Sequence, residues 1–293
     1  MTTKKDLLLT ADRLAVGHGT PLISDISLDI GHGECILLCG PNGSGKSTLL
    51  RTFAGVLPPL SGQLHGADII LIPTRIPKVP GFTLPEFIRT SLYRGSTWNG
   101  RLGKTEEEAL GTALQMLDIA SLADRDIATL SDGEFQRGCI ATALVRILLS
   151  SAPAAEEKQT APHHGLILLD EPTAFLDVEG RVQVLQLLRN IVQQTGASVL
   201  FSSHDLTESL AVATRIIGIT SEGRLLDARS ETDEGQVDAR SEAGAGQVDV
   251  RSETDERLVG TRSENGAGQV DARSRACEDL LAACFPALTR TLK

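Results

Sequence analysis

Apolar residues come in short dense runs separated by longer stretches in which they recur at helical spacing, a pattern that predicts an α/β domain with a parallel sheet. Three runs stand out. ECILLCG leads directly into a glycine-rich turn and then a helix predicted to begin at Lys46. GLILLDEP is apolar at nearly every position and ends in two carboxylates, as a buried parallel strand with functional groups at its C-terminal end would. ASVLFSSHD ends in the same way with a histidine. Between the first and second runs, residues 84–149 read as largely helical. The Pro-, Ala- and charge-rich stretch 150–165 reads as an exposed loop.

The pattern changes after Leu226. From Ala228 to Asp271 the chain repeats with a period of 11, and each repeat offers one regular apolar position, Val237, Val248, Val259 and Val270. An 11-residue period suits a right-handed supercoil, but such a coil needs more apolar positions, and glycine costs about 1 kcal/mol in a helix interior. Glycine-rich β-rolls have a period of nine. A flexible, solvated tail over 227–275 is therefore expected, after a domain over 1–226. Residues 276–293 are apolar at helical spacing, so a short helix docking back on that domain is expected.

Charge sharpens this division. The 293 residues include 28 Lys plus Arg and 38 Asp plus Glu, a net charge of -10. The repeat holds 11 acids and five arginines, so it carries more than half of the excess. No basic stripe is visible, which argues against a nucleic-acid partner. No apolar run approaches the roughly 20 residues of a membrane span, and the N-terminal run is too short for a signal-peptide core. A cytoplasmic chain is expected. The five cysteines form no metal-binding pattern and are expected as free thiols.

The chemistry sits at the strand ends. Gly40, Pro41, Asn42, Gly43, Ser44, Gly45, Lys46, Ser47 and Thr48 fit G-x-x-x-x-G-K-[ST], with a strand before and a helix after. In that context backbone N–H groups and the helix N-terminus face phosphate oxygens, Lys46 reaches the β and γ phosphates, and Ser47 can ligate Mg2+. Asp170 is placed to hold Mg2+ directly or through water, and Glu171 to orient and deprotonate an attacking water. Taken alone, the two acids could instead cap the following helix; beside a phosphate loop that alternative loses.

Taken with these motifs, LSDGEFQR, residues 130–137, resembles the LSGGQxQR signature of the ATP-binding subunits of ABC transporters. AFLD, ending at Asp177, resembles that family's D-loop, and SSHD its switch segment, with His204 as the switch histidine. The resemblance covers about residues 7–226. It implies a RecA-like P-loop NTPase core, an N-terminal antiparallel β subdomain and an inserted α-helical signature subdomain. It also implies ATP and Mg2+ as ligands, and a head-to-tail pair of subunits. In such a pair Ser131 and Gly133 contact the γ-phosphate in trans, Asp177 links the two sites, and His204 helps to fix the attacking water.

Three positions depart from the family pattern. His18 stands where an aromatic ring usually stacks on adenine, Asp132 replaces the first signature glycine, and Thr74 occupies the Q-loop glutamine position. A threonine hydroxyl can bond a water but has shorter reach, so hydrolysis is expected to persist with weakened coupling. The segment FTLPEFIRTSLYRGSTWNGRLGKTEEEALGTALQML resembles the helical subdomain of ATPases serving iron-siderophore, haem and cobalamin importers. That implies a polytopic permease partner, a substrate-binding protein acting indirectly, and a peripheral position on the cytoplasmic face of the inner membrane. The rival readings are a soluble ABC ATPase, as in iron-sulfur assembly or DNA repair, and a degenerate regulatory subunit. Sustained heptads are missing, against the DNA-repair type. The intact Lys46, Asp170, Glu171 and His204 argue against degeneracy.

Overall fold

The computed structural model describes residues 7–66, 69–92, 103–150, 165–229 and 284. Strands β1 (Leu9–His18), β2 (Thr20–Ile30), β3 (Cys35–Cys39), β4 (Ser61–Gly66), β5 (Ile69–Ile72), β6 (Leu166–Leu169), β7 (Ser198–Ser202), β8 (Arg215–Ile219) and β9 (Leu225–Arg229) build two sheets. Helices are α1 (Lys46–Phe53), α2 (Leu84–Thr90), α3 (Lys104–Met116), α4 (Asp132–Ser150), α5 (Val178–Thr195) and α6 (Leu206–Val212). The helix after the glycine-rich turn begins at Lys46, as predicted.

A three-stranded antiparallel sheet has the order β2-β1-β4, and a six-stranded sheet the order β5-β6-β7-β3-β8-β9. In the larger sheet every pair is parallel except β8 with β9. The antiparallel subdomain, the parallel core and the inserted helices match the expected architecture.

The alternation along β3 decides which layer covers which face. Cys35, Leu37 and Cys39 point into one core, shared with α3, α4 and α5. Ile36 and Leu38 point into another, shared with β1, β2 and Leu49, Leu50 and Phe53 of α1. A strand buried on both faces needs apolar residues throughout, which is why this run shows no polar alternation. Burial pushes the Cys35 and Cys139 thiols up to about 12, so they pack as small apolar groups.

The sequence boundary at Leu226 needs one correction. Ala228 and Arg229, the first residues of the repeat, pair with Ile216 and Arg215 as the last rungs of β9. The cause is a buried ion cluster beside them. Arg215 donates to both Asp227 carboxylate oxygens (2.8 and 2.6 Å) and to Glu34 Oε2 (2.6 Å). Burial alone would lower the guanidinium's pKa, but the Asp227 and Glu34 carboxylates overcome it and the net shift is upward.

The rest of the repeat lies outside the described residues, as do residues 151–164 of the stretch 150–165 expected as a loop, whose first residue, Ser150, ends α4, and most of 276–293. Cys284 is the exception. It is helical and buried in the same core as Cys39, whose thiol donates to its sulfur and holds its pKa below the ordinary thiol range against the effect of burial. Among the described residues no helix is long and apolar enough to cross a membrane.

Candidate nucleotide site

β3, β6 and β7 are parallel neighbours, so their C-terminal ends open on one edge of the sheet. That crevice is where open α/β sheets place ligands. At the end of β3 the chain turns at Gly40, with φ 154°. A Cβ there would stand 2.7 Å from the Ile219 carbonyl oxygen at the end of β8, so only glycine fits. The turn closes at Gly45, the left-handed N-cap of α1 with φ 98°.

Lys46 opens α1 and is only 6% exposed. Its ammonium donates to the Gly40 and Pro41 carbonyls at 2.8 and 2.9 Å, which folds it over the loop. Burial pushes its pKa down, opposed by the charges of Glu171, Cys39 and Asp170. The Ser44 hydroxyl is shielded from solvent without a hydrogen-bond partner. A desolvated cation, an orphaned hydroxyl and a helix N-terminus form a cradle suited to an anion. His18, at the end of β1, places Nε2 3.5 Å from Thr48 Oγ1, and so flanks the same loop.

The second half of the site comes from β6 and β7. Ser47 donates to Asp170 Oδ1 at 2.9 Å, which brings the helix and strand contributions together. Ser202 donates to the same oxygen at 3.1 Å and accepts the Glu171 N–H at 2.9 Å. Glu171 has a left-handed backbone, φ 51°, a strained setting for a side chain other than glycine. Its Oε1 lies 2.6 Å from His204 Nε2. Among the described residues no three His, Cys, Asp or Glu gather as a metal cage. A serine hydroxyl beside one carboxylate suits Mg2+, which commonly takes few protein ligands and completes its shell with phosphate and water.

Ser131, Gly133 and Asp177 lie elsewhere. They line a cleft of about 350 Å3 formed by the start of α4 and the start of α5, with no residue of the phosphate loop in its wall. Ser131 N-caps α4 through a capping box: its N–H donates to Glu134 Oε2 (2.7 Å), and its Oγ accepts the Glu134 N–H (3.2 Å). Asp177 caps α5 by accepting the Gly180 N–H at 2.9 Å. Thr74 lines a second cleft, about 390 Å3, together with Glu171, Phe175 and Asp132.

Comparison with known proteins identifies the family. Residues 23–148 match the family described as ABC transporter. The chain is 36% identical over 214 residues to the zinc import ATP-binding protein ZnuC of Cereibacter sphaeroides, spanning 72% of this chain and 78% of that one. The chain belongs to the ABC transporter family. As one of its ATP-binding subunits it is an ATPase. It is also 30% identical over 233 residues to the ferric enterobactin transport ATP-binding protein FepC of Escherichia coli K12, covering 74% and 80% of the two chains. The fold resembles an inward-facing putative metal-chelate type ABC transporter (TM-score 0.65, 22% identity, 76% of this chain and 84% of that one).

Two side chains that hold expected site residues were not foreseen from the motifs. Ser202 holds both Asp170 and the Glu171 backbone. The only signal for it is register: Leu169 pairs with Phe201, so the next residues, Asp170 and Ser202, stand side by side. Lys78 is the second. Its Nζ donates to Asp132 Oδ1 and to the Leu130 carbonyl, both at 2.7 Å. The aromatic and GRL elements that suggested a subfamily, residues 93–102, lie outside the described residues.

Proposed function

We propose that this ATPase powers a metal or metal-chelate importer, of the iron-siderophore, haem and cobalamin group, from the cytoplasmic face of the inner membrane. What carries the hydrolytic half is the convergence of Lys46, Ser47, Asp170, Glu171 and His204 on one sheet edge. The transported class is supported by relatives named for zinc import and for enterobactin, achromobactin and petrobactin.

In this reading the phosphate loop and Lys46 hold the triphosphate, and His18 lies against the adenine. Ser47 and Asp170 would hold Mg2+, which would supply neutralisation of charge on the phosphates. Glu171 takes the proton of the attacking water. His204 Nε2 stands 2.6 Å from Glu171 Oε1 in the structure; a γ-phosphate oxygen offers the imidazole a competing partner and so frees the carboxylate to act as base. Ser131 and Gly133 of a second copy reach the γ-phosphate, and Asp177 links the two sites. Exposed Phe175, Val178 and Val182 around Asp177 support a buried interface there. Thr74 lines the cleft that also contains Glu171, which suits a link between permease and hydrolysis.

Ser202→Ala tests the strand-end geometry. It removes both the support of Asp170 and the acceptor for the Glu171 N–H. The expected result is a Mg2+ requirement raised roughly 10- to 100-fold in a metal titration of ATPase rate, with about 1 to 3 kcal/mol lost from stability. An unchanged Mg2+ titration would remove the supporting role of Ser202.

The transport reading is tested by gentle detergent extraction. The chain should copurify with a polytopic permease. The reconstituted complex should then take up Zn2+ or a ferric siderophore in an ATP-dependent way. A protein found only in the soluble fraction, with no permease partner, overturns the importer reading in favour of a soluble ATPase.

A further inference from the structure

We propose that Lys78 is a positioning residue for this chain's acidic signature. By neutralising Asp132, it lets the first turn of α4 approach the phosphates bound by a second copy. The proposal rests on the head-to-tail reading above.

The starting point is a charge problem written in the sequence. Where the resembled signature has glycine and glutamine, this chain has Asp132 and Glu134, two carboxylates in the first turn of α4. Acids there favour the helix terminus. They also repel an incoming phosphate, so the surface that should receive the anion carries the wrong sign.

The structure gives each acid its own cation. Glu134 is turned inward: its side chain is 24% exposed, one oxygen accepts the Ser131 N–H, and the other lies 3.7 Å from Arg125. Asp132 faces outward, 64% exposed, and lines both clefts beside the signature. Lys78 answers it from the segment joining β5 to α2, 54 residues away in sequence. Three contacts fix its ammonium: Asp132 Oδ1, the Leu130 carbonyl and the ring of Phe135, 5.6 Å away. The bond to Leu130 also steadies the backbone that presents Ser131 and Gly133.

An ion pair as exposed as this one adds little to folding. Its effect belongs where another charge approaches and water is expelled. There an uncompensated carboxylate opposite a phosphate weakens association, most strongly at low ionic strength.

The test uses full-length chains in a Glu171→Gln background, which should accumulate the ATP-bound pair, with dimerisation followed by sedimentation as salt is varied. Lys78→Gln keeps a donor for the Leu130 carbonyl but removes the charge. It is expected to weaken ATP-dependent dimerisation about tenfold or more at low salt, with the defect shrinking as salt rises. Lys78→Arg should retain dimerisation. Adding Asp132→Gly to Lys78→Gln should restore it to within about threefold of Asp132→Gly alone. A defect that is independent of salt, or not rescued by Asp132→Gly, makes Lys78 merely structural and overturns the proposal. So does a Lys78→Gln chain that dimerises normally at every salt. If the Glu171→Gln chain itself fails to dimerise with ATP, the head-to-tail reading falls and this proposal falls with it. Should Lys78→Gln not fold, Lys78→Met serves for the same comparison.

Discussion

Glu171→Gln is expected to lower the ATPase rate by about 10^2- to 10^4-fold, the usual contribution of a positioned general base, while leaving ATP binding intact. The substitution is nearly isosteric, so the strand-end geometry should survive. The Glu171 N–H still meets Ser202, and the amide keeps the size and shape of the group beside His204. What disappears is the capacity to take a proton from water. Binding and hydrolysis should therefore separate: the ATP-bound form accumulates, visible as a nucleotide-dependent dimer in size-exclusion chromatography with light scattering. Hydrolysis at the unaltered rate would mean that Glu171 is not the base. His204→Ala offers a useful contrast, because it removes the partner of the base and leaves the base in place, so its loss should be smaller.

The residues involved show what a linear reading can reach. Lys46, Ser47, Asp170 and Glu171 were legible because phosphate chemistry demands fixed local spacing. A turn must bring N–H groups and one ammonium within a few residues, and an apolar strand must end in carboxylates. The same locality made β3, β6 and β7 legible: a strand buried on both faces has to be apolar throughout. Ser202 and Lys78 were not legible, since their work is done across 32 and 54 residues of chain. Nothing near Lys78 announces that Asp132 will lie beside it.

The domain edge failed for a related reason. Composition changes where the repeat begins, but the edge of β8 needed a partner strand, and Arg215 needed Asp227 beyond its bend. Tertiary demand thus drew Ala228 and Arg229 into the sheet although their sequence belongs to the repeat. Asp132 is the converse case. Its departure from the signature was plain in sequence, yet its consequence is set by the cation that the fold supplies.

Lys46→Ala is expected to weaken ATP binding by about 2 to 5 kcal/mol, roughly 30-fold to a few thousand-fold, as when one member of a buried charge pair is truncated. The ammonium is held by two carbonyls in a site where burial already disfavours its charge, so the fold sustains a cation at some cost. An anionic phosphate repays that cost, and the same burial that penalises the charge strengthens the attraction. Two consequences distinguish this from general damage. The variant's own melting temperature should hold steady or rise, because a desolvated charge has been removed. The pH dependence should change as well. Burial lowers the lysine's pKa, so the cation that binds phosphate is lost on the alkaline side at a pH below the ordinary lysine range. Affinity in the unaltered protein should therefore decline on the alkaline side, and that decline should vanish in Lys46→Ala. Isothermal titration with a nonhydrolysable ATP analogue at neutral and alkaline pH measures both effects. Binding within threefold of the unaltered protein, or an alkaline decline that persists without the lysine, would assign the phosphate contact to another group.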